Sequence, residues 1–335
     1  MQFKGKNYRI MIDYISSSLY IKDSVLWLDA VKKKELSFVS HVDKLVIPHT
    51  RIIATKETIA FYKKFFLKGE PLNALQMSFF RKFSIGGLTI TLFPSGHGFG
   101  ASQILVKKDD KKILYSGSIN KNPLPFCDDI YYPSANILVM ESTYGNSKYD
   151  FSNYKKEEEN VKSYVSNEIN KGNSVVIFVS PLTKPQYIVS LLSDNNAPIY
   201  LQSKIYQYVN YLKGYNLEIK PVRSFKTSIN KPSIILYPKH NFNKFPKLSN
   251  KIKKIMITGE AVEKDELHQK YGLDESFVLS SHSDFKSLIE YAELVKPSKI
   301  YLTASKFDNK ELIEELKGKK FSVEAFANPV LKKLF

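Results

Sequence analysis

Cysteine is all but absent from this chain. Cys127 stands alone, so no internal disulfide can form and no thiolate cluster can hold zinc. Long apolar runs are missing too. A membrane-spanning helix needs about 18 apolar residues in succession, so none is expected. The opening residues Met1-Gln2-Phe3-Lys4-Gly5-Lys6 lack a signal peptide's apolar stretch and small-residue cleavage site, and a cytoplasmic protein is the expectation. Acidic residues are few, 33 against 50 basic ones, which leaves a net charge of +17. Arginine is scarcer still: only Arg9, Arg51, Arg81 and Arg223 occur. A lysine ammonium is a point charge rather than a bidentate fork, so this excess suits phosphate contact better than base reading. Nucleic acid is the partner the charge favours, with DNA and RNA equally open. A genome rich in lysine, isoleucine and tyrosine codons would give the same balance without one.

What is present is the material of a globular α/β protein. With 335 residues and 43% hydrophobic content the chain can bury a large core. Strands are expected at 8–12, 24–28 and 36–39, then a helix at 57–66 with apolar Ile59, Phe61, Phe65 and Phe66 on one face. Four further strands follow at 88–93, 103–106, 112–115 and 136–140. The run Ser174-Val175-Val176-Ile177-Phe178-Val179 is almost wholly apolar, as a strand covered on both faces should be. It opens a strand and helix alternation that ends with a helix at 284–295, a strand at 299–303, a helix at 309–316 and a strand at 321–325. Residues 237–251, rich in lysine, asparagine and proline, are the least regular stretch.

Five short motifs sit where strands end, the usual place for a site on such a scaffold. They are Ser40-His41-Val42-Asp43-Lys44, Ser95-Gly96-His97-Gly98-Phe99-Gly100-Ala101-Ser102, Tyr115-Ser116-Gly117-Ser118, Glu141-Ser142-Thr143-Tyr144-Gly145 and Ser280-Ser281-His282-Ser283-Asp284-Phe285. In that order they resemble the metallo-β-lactamase fold with a β-CASP insertion. The branch most similar is that of ligase-associated DNA exonucleases and messenger-RNA 3′-end processing factors. The resemblance spans nearly the whole chain. It implies a four-layer αββα core from 1–160 and 278–335, with a Rossmann-like β-CASP domain at 161–277.

The same resemblance implies two-metal hydrolysis of phosphodiesters, and here the chain departs from its relatives. The family's first motif, H-x-H-x-D-H, reads Val39-x-His41-x-Asp43-Lys44. His97 matches a histidine ligand, Ser118 falls where an aspartate bridges both metals, and Ala304 falls where a late histidine ligand is placed. An ammonium about 4 Å from a divalent ion, at an effective dielectric of 20, is repelled by roughly 8 kcal/mol. Lys44 is therefore expected to pair with Asp43 in the second metal's place. His41, Asp43 and His97 remain as a vestigial metal set, and Glu141 and His282 match the acidic and histidine motifs, the histidine implicated as a general acid. His49, His240 and His268 match no ligand position and are expected to be ordinary loop or surface histidines. The expectation is a catalytically degenerate, nucleic-acid-binding or partner subunit in DNA or RNA processing or DNA repair, without a bound cofactor. An active nuclease paralogue or another processing or repair protein is its expected partner. The alternatives are an active exonuclease using zinc or manganese, and a protein–protein scaffold.

Overall fold

The computed structural model describes residues 11–15, 18–44, 47–67, 72–215, 220–248, 251–303, 305 and 307–326. Two compact units divide the chain. One comprises Met1–Ile119, Asp128–Thr143 and Ile289–Phe335, the other Asn120–Cys127 and Tyr144–Leu288.

In the first unit, strands β1 (Ile12–Ile15), β2 (Ser18–Ile21), β3 (Leu26–Leu28), β4 (Leu36–Phe38), β5 (Arg51–Thr55) and β6 (Asn73–Met77) form one sheet in sequence order. β1 to β3 pair antiparallel and β3 to β6 parallel. Helix α1 (Lys56–Phe65) leaves β5 with Thr55 as its cap, the side chain accepting from the Thr58 amide. A second sheet holds β7 (Lys82–Ile85), β8 (Leu88–Pro94), β9 (Ser102–Lys108), β10 (Lys111–Tyr115), β11 (Ile137–Met140), β18 (Lys299–Leu302) and β19 (Ser322–Ala325). Its spatial order is β19-β18-β11-β10-β9-β8-β7. Gly86 and Gly87, both at positive φ (53° and 77°), close β7 onto β8 as a two-residue hairpin turn. The two sheets share one apolar cluster, with Leu19, Ile21, Leu26, Phe38 and Ile53 from the first against Ile90, Leu92, Ile104, Val106 and Ile113 from the second.

The second unit is built on a wholly parallel sheet of β12 (Ser174–Val179), β13 (Ile199–Leu201), β14 (Arg223–Ser224), β15 (Ile234–Pro238), β16 (Ile252–Ile257) and β17 (Glu275–Phe277), ordered β14-β13-β15-β12-β16-β17. Every residue of β12 is buried. Side chains alternate faces along a strand, so Val175, Ile177 and Val179 meet Val161 and Val165 of α2 (Tyr154–Asn170), Ile188 of α3 (Pro185–Leu191) and Ile205 of α4 (Ser203–Leu212). Val176 and Phe178 face the other way, in a cluster with Met256 of β16 and Leu267 of α5 (Lys264–Tyr271). Because α2 packs into this cluster, the compact unit starts at Tyr144 and takes in residues beyond 161–277 at both ends.

The expected strand at 8–12 lies outside the described residues except at its end, where β1 begins with Ile12. β2, β5, β6, β7, β14, β17 and α5 are additions to the sequence reading. β7 is a solvent-exposed edge with no buried alternation to announce it. The irregular stretch after residue 237 forms 3-10 turns over Lys239–Lys244, and Phe242 and Phe245 close on Phe178 at 4.4 and 6.0 Å between ring centroids.

Lys184, the residue before α3, is buried in the second unit. Its ammonium nitrogen donates to the carbonyls of Ile257 (3.3 Å) and Leu279 (2.9 Å). Burial first, and then the like charge of Lys239, lowers its pKa to about 7 against the opposing pull of Glu260. Between pH 7 and 10.5 the unfolded chain holds a proton here that the folded chain has shed, so the contribution of this group to stability grows as pH rises. Denaturant melts at pH 7 and pH 9.5 are expected to show the wild type gaining roughly 3 kcal/mol relative to Lys184→Met over that interval. Parallel pH profiles for the two proteins would rule this out.

Candidate functional site

The first unit brings three of the sequence-selected ligands together. His41 follows β4, Asp43 sits in the one-turn 3-10 helix Val42–Lys44, and His97 lies in the loop after β8. Their ligand atoms all fall within 4.8 Å of one another. Both imidazoles are buried, their ring centroids 4.5 Å apart in an edge arrangement, and His97 Nε2 stands 4.0 Å from Asp43 Oδ2.

Behind His41 runs a hydrogen-bond relay whose far end sequence reasoning missed. Asp29, one residue past β3, holds a left-handed backbone (φ 43°) that turns its carboxylate inward. Its Oδ1 accepts the Ser40 amide at 2.8 Å, and its Oδ2 accepts the Ser40 hydroxyl at 2.6 Å and the Tyr115 hydroxyl at 2.8 Å. Tyr115 remains a donor because burial, then the charge of Asp29, pushes its pKa well above the ordinary phenol value. Ser40 Oγ also lies 2.7 Å from His41 Nδ1. The hydroxyl proton is committed to Asp29, so Nδ1 of His41 must donate to Ser40 Oγ. That fixes the tautomer and leaves Nε2 with a lone pair for a cation. The signal available in the sequence was an acidic residue directly after an apolar strand.

The loop after β10 backs onto the same relay. Gly117 has φ 56°, and a Cβ there would stand 2.7 Å from Ser40 Cβ. Glu141, at the end of β11, holds this loop: its Oε1 accepts the Ile119 amide at 2.7 Å and its Oε2 the Thr143 hydroxyl at 2.8 Å. Ser118 is buried within it.

Comparison with family models gives no match. A probable DNA ligase of Opitutus terrae is 24% identical over 293 residues, covering 85% of this chain and 28% of that protein. RNase aCSPSF2 of Saccharolobus solfataricus is 28% identical over 175 residues, 51% of this chain and 33% of that one. An RNase J-like protein of Methanocaldococcus jannaschii is 30% identical over 144 residues, 38% and 34% respectively. The alignments thus span about a third or less of the relatives' own length. These proteins are metallo-β-lactamase/β-CASP family members. This chain is their homologue. Among solved structures, a protein of unknown function from Enterococcus faecalis superposes with a TM-score of 0.53 at 11% identity, over 88% of this chain and 79% of that one, a likeness of fold alone.

The residues that the sequence resemblance aligns with the other ligand positions sit in distinct surroundings. Val39 is buried in an apolar cluster with Ile52, Ala54, Ile59 and Tyr62. Lys44 does not behave as expected. Its side chain is exposed, and among the described residues no ion pair joins it to Asp43, whose recorded ion pair is with His97. Successive residues of a 3-10 turn point about a third of a turn apart, so Asp43 faces the histidines while Lys44 faces water. Ala304 lies outside the described residues.

His282 belongs to the second unit. It is half-buried, its ring 6.1 Å from that of Tyr144, and it lines a cavity of about 40 Å³ with Asn120, Phe151, Tyr154 and Tyr187. Asp284, two residues on, caps α6 (Phe285–Val295) by accepting the Ser287 amide at 2.8 Å and binds the Phe151 amide at 2.8 Å. Of the remaining histidines, His240 is exposed and His268 bonds Ser276. His49 is a loop residue but a buried one, accepting the Lys34 amide at Nδ1 (3.2 Å), and burial lowers its pKa.

Three convergent donors with a fixed imidazole tautomer fit one zinc-like ion with an open coordination position. Zinc titrated into the full chain by calorimetry is expected to bind one-to-one and to be lost in His97→Ala. Asp29→Asn and Gly117→Ala, which touch no metal-binding atom, should each weaken it about 10- to 100-fold. Undiminished affinity in Asp29→Asn would show that the relay does not set the tautomer.

Proposed function

We propose that this chain is a nucleic-acid-binding homologue of the metallo-β-lactamase/β-CASP nucleases that has lost dinuclear metal chemistry, acting in the cytoplasm as a binding or partner subunit in DNA or RNA processing. On this reading the two-sheet unit is the αββα core and the parallel-sheet unit carries the β-CASP insertion. Val39 carries the reading furthest. The first motif position is now part of an apolar cluster, so a ligand has become core. Ser118 supplies no carboxylate to bridge two cations, and Lys44 supplies no imidazole. The net charge of +17 supports a polyanionic partner. Among the described residues no helix is long and apolar enough to cross a membrane.

The convergence of His41, Asp43 and His97 favours a second reading, an exonuclease working with one ion. A bound ion there would supply Lewis-acid polarisation of a phosphoryl oxygen. The chain's own part would be to hold that ion through His41 Nε2, His97 and Asp43, with Asp29 and Ser40 keeping the His41 proton on Nδ1.

Nuclease assays on single-stranded and duplex DNA and RNA, in manganese and in zinc, separate the two. The degenerate reading expects no cleavage above background by the wild type alone, together with oligonucleotide binding that weakens steeply with salt. Cleavage abolished by His97→Ala would replace it with the second reading. Restoring Val39→His, Lys44→His and Ser118→Asp together is expected to raise zinc content from one ion to two, and Lys44→His alone to leave it unchanged.

A further inference from the structure

We propose that an exposed aromatic platform on the two-sheet unit, made by Phe80, Phe93 and Tyr131 and edged by Arg81 and Lys82, is a stacking site for the bases of single-stranded nucleic acid. The inference rests on the nucleic-acid-binding reading and says where the strand lies. Phe93 and Tyr131 stack nearly parallel, centroids 5.0 Å apart at 9°, and Phe80 stands edge-on to both at 5.5 and 5.2 Å. Phe80 is 57% exposed and Tyr131 46%, an unusual cost for large rings that a core could have used.

The platform is also held in place. Phe80 has φ 64°, a left-handed backbone that a bulky residue adopts rarely and that collects at functional positions. Its amide donates to the Leu92 carbonyl at 2.9 Å, so the turn is anchored on β8. The Tyr131 backbone is pinned on two sides: its amide donates to the Pro94 carbonyl, and its carbonyl accepts from Gln103, whose side-chain oxygen in turn accepts the buried Tyr291 hydroxyl. Rigid rings with a cation alongside are what base stacking requires, since every base has a π-face and every nucleotide a phosphate. The charge decides the occupant. Arg81, one of only four arginines, and Lys82 follow Phe80 directly in the chain and are both exposed, β7 carries no acidic residue, and the chain as a whole carries +17 against the two exposed carboxylates, Asp128 and Asp129, that precede Tyr131. A duplex keeps its bases stacked on one another, so the strand must be single.

The test titrates the full chain into 2-aminopurine-containing single-stranded DNA, single-stranded RNA and the matching duplexes. Single strands are expected to bind more tightly than duplexes, with a change in 2-aminopurine emission on stacking. Phe80→Ala and Tyr131→Ala should each weaken single-strand binding about 5- to 150-fold and remove that change. Arg81→Ala should lower the slope of binding against salt by about one counterion. Phe80→Gly suits the left-handed backbone, so its melting temperature is expected to be kept or raised while binding is lost, which separates a binding defect from misfolding. Unchanged affinity and emission in both aromatic variants, with the wild type binding, overturns the platform and leaves the nucleic-acid reading standing. Loss of a self-association of the chain in Phe80→Ala, with oligonucleotide binding intact, assigns the patch to a protein interface and overturns it equally. A wild type that binds no oligonucleotide sinks both.

Discussion

The two-sheet unit turns on the carboxylate of Asp29. It is one group with two oxygens, and it accepts three hydrogen bonds: one from a backbone amide, one from a serine and one from a buried tyrosine. The amide and hydroxyl of Ser40 orient His41, and Tyr115 ties the arrangement to the second sheet. A half-buried carboxylate is best tolerated when its lone pairs are filled, and this one is filled from two places, the amide and hydroxyl of Ser40 after β4 and the hydroxyl of Tyr115 at the end of β10. The Ser40 carbonyl then accepts the Ser102 amide at 2.8 Å, so the first and second motifs are joined through backbone as well. Removing the negative charge would leave Ser40 free to reverse its proton, and the imidazole tautomer with it.

Much of this could be read from the sequence where one physical signal dominated. The apolar run at 174–179 could belong only to a strand covered on both faces, and β12 is buried throughout. His41, Asp43 and His97 are legible through the motif resemblance, and their ligand atoms converge within 4.8 Å. What the sequence concealed were relations set by backbone direction. Lys44 follows Asp43 in the chain, but a tight turn separates their side chains. Asp29 carries no motif of its own, and only its left-handed φ turns it inward. His49, likewise, is buried by tertiary packing that no local pattern announces.

The two units solve the burial problem differently, and the contrast explains where polar chemistry sits in each. The central strands β12 and β15 of this parallel sheet are almost wholly apolar and buried, so in the second unit the buried polar contacts near them lie at and beyond the strand ends. Lys184 bonds the carbonyls of Ile257, the last residue of β16, and Leu279, two residues past β17. Ser283 likewise accepts the Lys121 amide there. In the first unit the shared cluster lies between two sheets, and polar loops at the strand ends can face one another. That is where the serines, the histidines and Asp29 meet.

The exposure of Lys44 also bears on which force would exclude a second ion under the proposed function. The Coulomb repulsion of roughly 8 kcal/mol presumes an ammonium about 4 Å from the metal in a medium of dielectric 20. An ammonium in water sees a dielectric near 80, where the same pair at the same separation costs about a quarter as much. Repulsion of that size is comparable to what one good ligand returns and cannot by itself empty a site. On that reading the want of donors is the stronger constraint. A histidine placed at Val39 would first have to be desolvated among Ile52, Ile59 and Tyr62, and Ser118 brings a neutral hydroxyl where charge is needed to hold two dications side by side. On the proposed reading the site is limited by the donors its walls lack, while the relay that would orient His41 is intact.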